Sequence, residues 1–523
     1  MEQYGATTNL SRQCGDVQSQ LKVRKLKSEQ SYAELIRLSR ERSVMHSTLA
    51  ILQWDAEICM PRGGVKHRGD QMALLAGLVH DRSTDPRIGE LLSDVEGSSL
   101  VADAESEEAV NLRELRRDFD RETRLPRRLV EETARVSALS SQAWSEARDR
   151  DDFKSFAPFL DQTFVLAREK ADALGYKDVR YDALLDDYEP DMTTAQLSTL
   201  FEQLRSQLVP LVDALRDRPK GEHTRVPERE FPVERQRAFA EAAAAKLGFD
   251  LECGRFDLGP HPFCSMIGPG DVRIAARYQP GNLTNGFLGV MHETGHALYE
   301  QGLDPAHYGT PMGEAVSLGI HESQSRMWEN LVGRTKGFWM HFYPQLQQAF
   351  ERELGDVPLE TFRAAMNQVA PGLIRVEADE VTYNLHIVIR FELERALLDG
   401  DLRAADVPAA WGERYRKYLG ITPDNDRNGC LQDIHWSESL IGYFPTYTLG
   451  NVYAAQLFEA ADRAIGPLED AFAAGEFSTL RTWLGENIHR HGKRYRAAAL
   501  VERVTGNPPN PSALIASLAH RYG

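Results

Sequence analysis

Cysteine is scarce in this sequence. The five residues Cys14, Cys59, Cys253, Cys264 and Cys430 are scattered through 523 positions, odd in number and never paired as Cys-x-x-Cys. That excludes a disulfide framework and a thiolate metal site, and it suits a reducing cytoplasm. Long apolar runs are missing too. None approaches the roughly 20 residues that cross a bilayer, and the N-terminus lacks the charged-then-apolar pattern of a secretory signal, so neither a membrane role nor that export route is expected. Basic residues are outnumbered, 61 Lys and Arg against 78 Asp and Glu, for a formal charge of −17. That balance disfavours nucleic acid or any other polyanion as a partner. No internal repeat or low-complexity tract stands out.

What is present is an ordinary globular balance, 42% apolar and 27% charged, on a chain long enough for a large enzyme of two lobes. Residues 1–30 read as a solvated N-terminal extension, basic at Gln20–Lys27. From Ser31 onward, apolar residues recur at three- and four-residue spacing. The spacing predicts helices beyond Ser31 to about Leu52, then over 71–78, 105–120, 127–148, 152–174, 194–215 and 234–247, with a break at Met60–Gly64. Further helices are expected at about 313–332, 359–368, 379–398 and 447–465. The polar connector 216–231, with Pro219, Gly221 and Pro227, divides the chain into parts 31–230 and 231–523. Residues 253–278 are rich in Gly, Pro and aromatics, and Asp271–Tyr278 begins with the alternation of a strand. The expected fold is mainly α with one small β-sheet at the catalytic edge.

The rest of the chain is organised around Met291-His292-Glu293-Thr294-Gly295-His296. His-Glu-x-x-His on a helix sets the two imidazoles about 40° apart around the axis and roughly 6 Å along it, within reach of one ion. Glu293, rotated by about 100°, can touch a water on that ion without ligating it. This is the chemistry of metal-assisted hydrolysis. Gly295 costs a helix interior about 1 kcal/mol against Ala, which points to close packing at that position. Asn282 or Thr284 is a candidate cap for this helix. A hydrolytic site needs a third protein ligand. Glu322, in His321-Glu322-Ser323-Gln324, is favoured by spacing, with Glu314 and His321 as alternatives.

The pairing of His292-Glu293-Thr294-Gly295-His296 with His321-Glu322-Ser323-Gln324 resembles the carboxypeptidase Taq family of metallocarboxypeptidases. Other signatures follow in order: His261-Pro262-Phe263, Asp271-Val272-Arg273-Ile274-Ala275, Ile374-Arg375-Val376-Glu377-Ala378-Asp379, Gly429-Cys430-Leu431-Gln432-Asp433-Ile434-His435-Trp436, and Gly442-Tyr443-Phe444-Pro445-Thr446-Tyr447. Trp54-Asp55 with Met60-Pro61, and Tyr181–Asp186, are similar as well. The likeness runs from about Ser31 to the C-terminus. Ala275 departs from it, standing where the family usually has threonine. The resemblance implies a large helical, two-lobed, clam-like fold with a deep active-site groove, and commonly a homodimer. It implies removal of single residues from free peptide C-termini with broad preference, poor cleavage where proline ends the peptide, and one zinc or cobalt ion per chain. By matching position it makes Glu322 the third ligand.

A free C-terminal carboxylate calls for a guanidinium fork, for which Arg375 is preferred and Arg273 is second; a neighbouring aspartate such as Asp379 or Asp271 would instead tie either into an ion pair. Tyr443, Tyr447 and His435 can each donate to an oxyanion, Tyr443 being the first choice. Asp433 can orient an imidazole, His261 can line the groove, and Trp436 and Phe263 read as packing. Two other readings remain open on sequence: a helical zinc oligopeptidase cutting internal bonds, and a non-catalytic binding protein with a structural metal.

Overall fold

In the computed structural model the described backbone comprises residues 6–216 and 229–522, with side chains from residue 26 onward. Most of the predicted connector, 217–228, and the start of the N-terminal extension, 1–5, lie outside the described residues. The chain divides into two compact units. The first takes the chain up to Arg124 together with two short returns, Asp304–Glu314 and His491–Arg494. The second takes everything else.

The first unit is built on α1 (Ala6–Ile58), α2 (Val65–Ser83), α3 (Pro86–Val95) and α4 (Glu107–Arg124). Met60–Pro61 ends α1 as expected. Asp85 caps α3 by accepting from Arg87 N, with Pro86 in the first turn. A small core of Leu35, Leu91, Leu92, Val95, Leu112 and Leu115 holds α1, α3 and α4 together. The returning segments are pinned by polar contacts: Asn111 Oδ1 accepts from Met312 N at 3.1 Å, and Lys493 pairs with Glu314.

The second unit continues with α5 (Arg127–Arg150), α6 (Phe153–Leu174), α7 (Arg180–Leu185), α8 (Thr194–Arg216) and α9 (Val233–Leu247). Three strands follow, β1 (Gly254–Leu258), β2 (Phe263–Gly268) and β3 (Asp271–Ala276). The sheet order is β1-β3-β2, with β1 parallel and β2 antiparallel to β3. Only β3 was expected: β1 alternates but over just five residues, and β2 has half-buried residues along nearly its whole length with no alternation. β2 and β3 both pack on α10 (Leu283–Gly302), the helix carrying His-Glu-x-x-His. Ala275 is fully buried there, opposite Phe263 in the register.

Next come α11 (Leu318–Arg326), α12 (Lys336–Ala349), α13 (Glu351–Leu354), α14 (Leu359–Met366), α15 (Tyr383–Asp399), α16 (Val407–Leu419) and α17 (Pro445–Ile465). Shorter helices complete the chain. One expectation is corrected. The helix read over 313–332 begins only at Leu318, because Pro311 sets a 3₁₀ turn and Ser317 restarts the helix by accepting from Ile320 N. It then widens into a π-helical turn, Met327–Val332. The fold is mainly α with one small sheet, as the sequence led us to expect. Among the described residues no helix is long and apolar enough to cross a membrane.

Candidate metal centre

Asn282 caps α10, accepting from Asn285 N at 3.1 Å, and so sets the phase of the helix. His292 and His296 then share a face with Glu322 of α11. One ligand atom from each of the three lies within 4.8 Å of the others. Glu322 Oε2 is 3.6 Å from His292 Nε2 and 3.5 Å from His296 Nε2. Those separations are long for hydrogen bonds. They match the roughly 3.4 Å between atoms that sit about 2.0–2.1 Å from a tetrahedral ion. Glu322 Oε1 is buried with no hydrogen-bond partner among the described residues, an acceptor that a cation would satisfy. The residues therefore fit a divalent cation.

The close approach of the helices has a backbone cause. A Cβ on Gly295 would stand 2.5 Å from Gln324 O and 2.6 Å from Ser325 Cα, so only glycine lets α11 lie against α10. On the other side, a Cβ on Gly450 of α17 would stand 2.7 Å from Glu322 Cβ.

A second layer orients the ligands. His292 Nδ1 is 2.9 Å from Glu329 Oε2, which also accepts from Arg326 Nη1 at 2.8 Å. Arg326 Nε donates to Asn451 Oδ1 at 2.7 Å, and Asn451 donates to Asn384. This carboxylate–imidazole arrangement fixes the ring and leaves Nε2 for the ion. Glu329 was missed on sequence, although it follows Glu322 by two helical turns; the π turn that aims it has no sequence signature we can read. Of the alternative ligands, His321 bonds Glu300 at 2.8 Å and stacks on His296, and Glu314 belongs to the first unit, paired with Lys493.

The electrostatics follow from burial and crowding. Burial lowers the His292 imidazole, but Glu322, Glu329 and Glu293 around it prevail and push it up to about 9. Positive charge is thus favoured at this spot. Burial and the neighbouring His321 push His296 down to about 3, keeping it a neutral ligand. Glu293 is only 7% exposed, and burial pushes its carboxyl up to about 7 against the pull of His292. That value suits a group that takes and returns a proton near neutrality.

The downstream candidates gather in the same unit. Arg375 is buried, with Nε 2.9 Å and Nη2 2.8 Å from Asp433 Oδ1 and Nη1 3.1 Å from Tyr383 OH. Its guanidinium stacks on Tyr447 at 5.0 Å. Asp433, expected to orient an imidazole, instead holds two guanidiniums, since Oδ2 accepts from Arg390 Nε at 2.8 Å. His435 Nε2 is 3.1 Å from Tyr447 OH, and its ring lies 5.4 Å from that of Tyr443. Burial and Arg375 push His435 down to about 3, so it is neutral. Arg273 is matched by both oxygens of Asp271, at 2.7 and 2.6 Å. His261 is exposed in the turn between β1 and β2. Trp436 is buried in aromatic packing.

The comparisons with known proteins agree with this geometry. The profile of the family described as Carboxypeptidase Taq (M32) metallopeptidase matches residues 34–522. Thermostable carboxypeptidase 1 of Thermus thermophilus is 49% identical over 504 residues, covering 94% of this chain and 98% of the relative. Carboxypeptidase 1 of Bacillus subtilis is 34% identical, covering 94% and 97%. The crystal structure of an M32 carboxypeptidase from Deinococcus radiodurans superposes with a TM-score of 0.91 at 39% identity, covering 94% of this chain and 99% of that one. With two imidazoles and one carboxylate gathered as a metal site could be, and a buried acid beside them, in a chain matched almost end to end, this protein belongs to the carboxypeptidase Taq (M32) metallopeptidases and is a metal-dependent carboxypeptidase.

Proposed function

We propose that one zinc ion per chain, replaceable by cobalt, is held by His292, His296 and Glu322, and that the enzyme trims peptides one residue at a time with broad preference. A divalent ion there supplies Lewis acidity and draws the pKa of a bound water towards about 7. Glu293 accepts the proton of the attacking water and passes it to the leaving amine. Arg375 holds the substrate's terminal carboxylate. Three of the five N–H groups on its guanidinium are engaged by Asp433 and Tyr383, which leaves two for a ligand. We prefer it to Arg273 because its guanidinium lies on Tyr447, whose hydroxyl meets His435, whereas Arg273 stands on β3 paired with Asp271. Tyr443, with Tyr447 and His435 beside it, donates to the developing oxyanion. His261 is assigned to the groove, and proline at the C-terminus is expected to be a poor substrate. By likeness to the family we also propose a homodimer working in the cytoplasm.

The observation that carries this reading is the three-residue ligand cluster with Glu293 on the same helix. Digestion of an N-blocked peptide, read by mass, tests it. A ladder shortening from the C-terminal side, abolished by chelator, restored by zinc and absent for the C-amidated peptide, is the expected result. Internal fragments from the amidated peptide would refute it.

A further inference from the structure

α15 carries Arg390 and Glu394 four residues apart, so both project from one helical face. Together they grip the segment that bears His435 and Tyr443. Arg390 takes its start, through Asp433. Glu394, 0% exposed, takes its middle and end: Oε1 accepts from Trp436 Nε1 at 2.9 Å, and Oε2 accepts from Gly442 N at 3.2 Å and from Tyr181 OH at 2.7 Å. Trp436 adjoins His435, and Gly442 adjoins Tyr443. Gly442 sits at φ +91°, where a Cβ would be strained and would meet Leu184 C and Leu185 N at 3.1 Å. The backbone at this corner is therefore fixed from both sides.

The chemistry at Glu394 is specific to a carboxyl group. An indole N–H and a backbone N–H can only donate, and they reach different oxygens of the same side chain. A glutamine of the same shape offers one acceptor atom and would face one of these donors with its own N–H. Packing does not replace the bond. The ring of Trp436 is already enclosed by Phe164, Trp411 and Phe444. The hydrogen bond adds orientation to a side chain whose burial is otherwise secured. Burying a carboxyl at this point is costly, and what it secures is the spacing between two candidate donors to the substrate.

We propose that Glu394 is a positioning residue that sets His435 and Tyr443 for the reaction by holding Trp436 and Gly442. This rests on the reading of His435 and Tyr443 as groups that meet the substrate. Glu394→Gln is expected to keep its zinc content and lower kcat by about 10–100-fold, the scale of a displacement near 1 Å. In a Tyr443→Phe, His435→Asn background the same substitution should cost less than about threefold, because both groups it positions are gone. A purely structural role predicts losses that multiply. Trp436→Phe, which removes the Nε1–H together with the five-membered ring of the indole and keeps one aromatic ring, is a second variant should Glu394→Gln not fold; it should lower kcat by about 3–10-fold with the same dependence on that background. Folded, zinc-loaded variants with kcat within twofold of the parent, or losses that multiply in the Tyr443→Phe, His435→Asn background, overturn the proposal. Tyr443→Phe and His435→Asn distinguish the two ways of failing. If both turn over normally, the donor reading is wrong and the proposal falls with it. If they are slow while Glu394→Gln is not, only the proposal falls.

Discussion

The two halves of the site carry opposite imbalances of charge. Around the His-His-Glu cluster three acids gather, Glu293, Glu322 and Glu329, with Arg326 acting on Glu322 and Glu329 and Arg334 on Glu329. Around Asp433, two guanidiniums, Arg375 and Arg390, share a single carboxylate. The first half is short of positive charge and the second has it in excess. On the proposed reading each is charged against what it would receive, a dication on one side and a peptide's terminal carboxylate on the other. The difference teaches that loss of a group should have different consequences in the two places. In the first half it should touch the proton or the metal; in the second, recognition of the peptide's end.

The sharpest way to break this contrast is Glu293→Gln. It should lower kcat by about 10³-fold with metal content unchanged, as measured by turnover beside elemental analysis. Normal turnover would remove Glu293 from the mechanism. In the other half, Arg375→Lys exchanges a planar fork for a point charge. It should reduce kcat/KM about 10²-fold on peptides with a free C-terminus and leave metal content and melting temperature unchanged. A loss of activity accompanied by an equal loss of metal or a lowered melting temperature would mean that Arg375 only supports the fold. Glu329→Gln returns to the metal side, where it weakens the support of His292. Competition with a chelator should reveal metal affinity lower by about tenfold or more, with kcat largely recovered at saturating zinc.

The smallest effect concerns pH. Glu189 is buried and accepts from Gly319 N at the start of α11 and from Tyr453 OH. Burial pushes its carboxyl from an ordinary 4.5 up to about 7 despite those donors. The folded chain therefore keeps a proton that the unfolded chain releases near 4.5. The resulting stability is full below that pH and is lost as pH rises towards about 7, at up to about 1.4 kcal/mol per unit. Melting temperatures at pH 5 and pH 8 should differ less in Glu189→Gln than in the parent. An identical difference would take the proton off Glu189.

Much of the metal half was legible because its residues lie close in sequence on regular helices. The spacing of His292 and His296, the cap at Asn282 and the odd glycine at 295 are all local signals. Glu322 followed from spacing and likeness together, and the long helices of both units from their periodicity. What could not be read depends on tertiary contact. β1 spans only five residues and β2 does not alternate, so both stand out only through pairing with β3. The π turn that brings Glu329 to His292 breaks helical phase without a marker residue. Asp433 was named, but its two guanidinium partners come from 43 and 58 residues away, a distance over which no pattern operates.

α11 is seated between Gly295 on one side and Gly450 on the other, and at neither place is there a side chain to yield. Most ligands in a folded chain are cushioned, so that drift in a neighbouring element dies out in a few rotamers. Here nothing soft intervenes, and a shim of one methyl at position 450 would be transmitted undamped to the carboxylate of Glu322. Tolerance to mutation at these two positions should accordingly fail first in the grip on the ion, and only later in the melting of the protein.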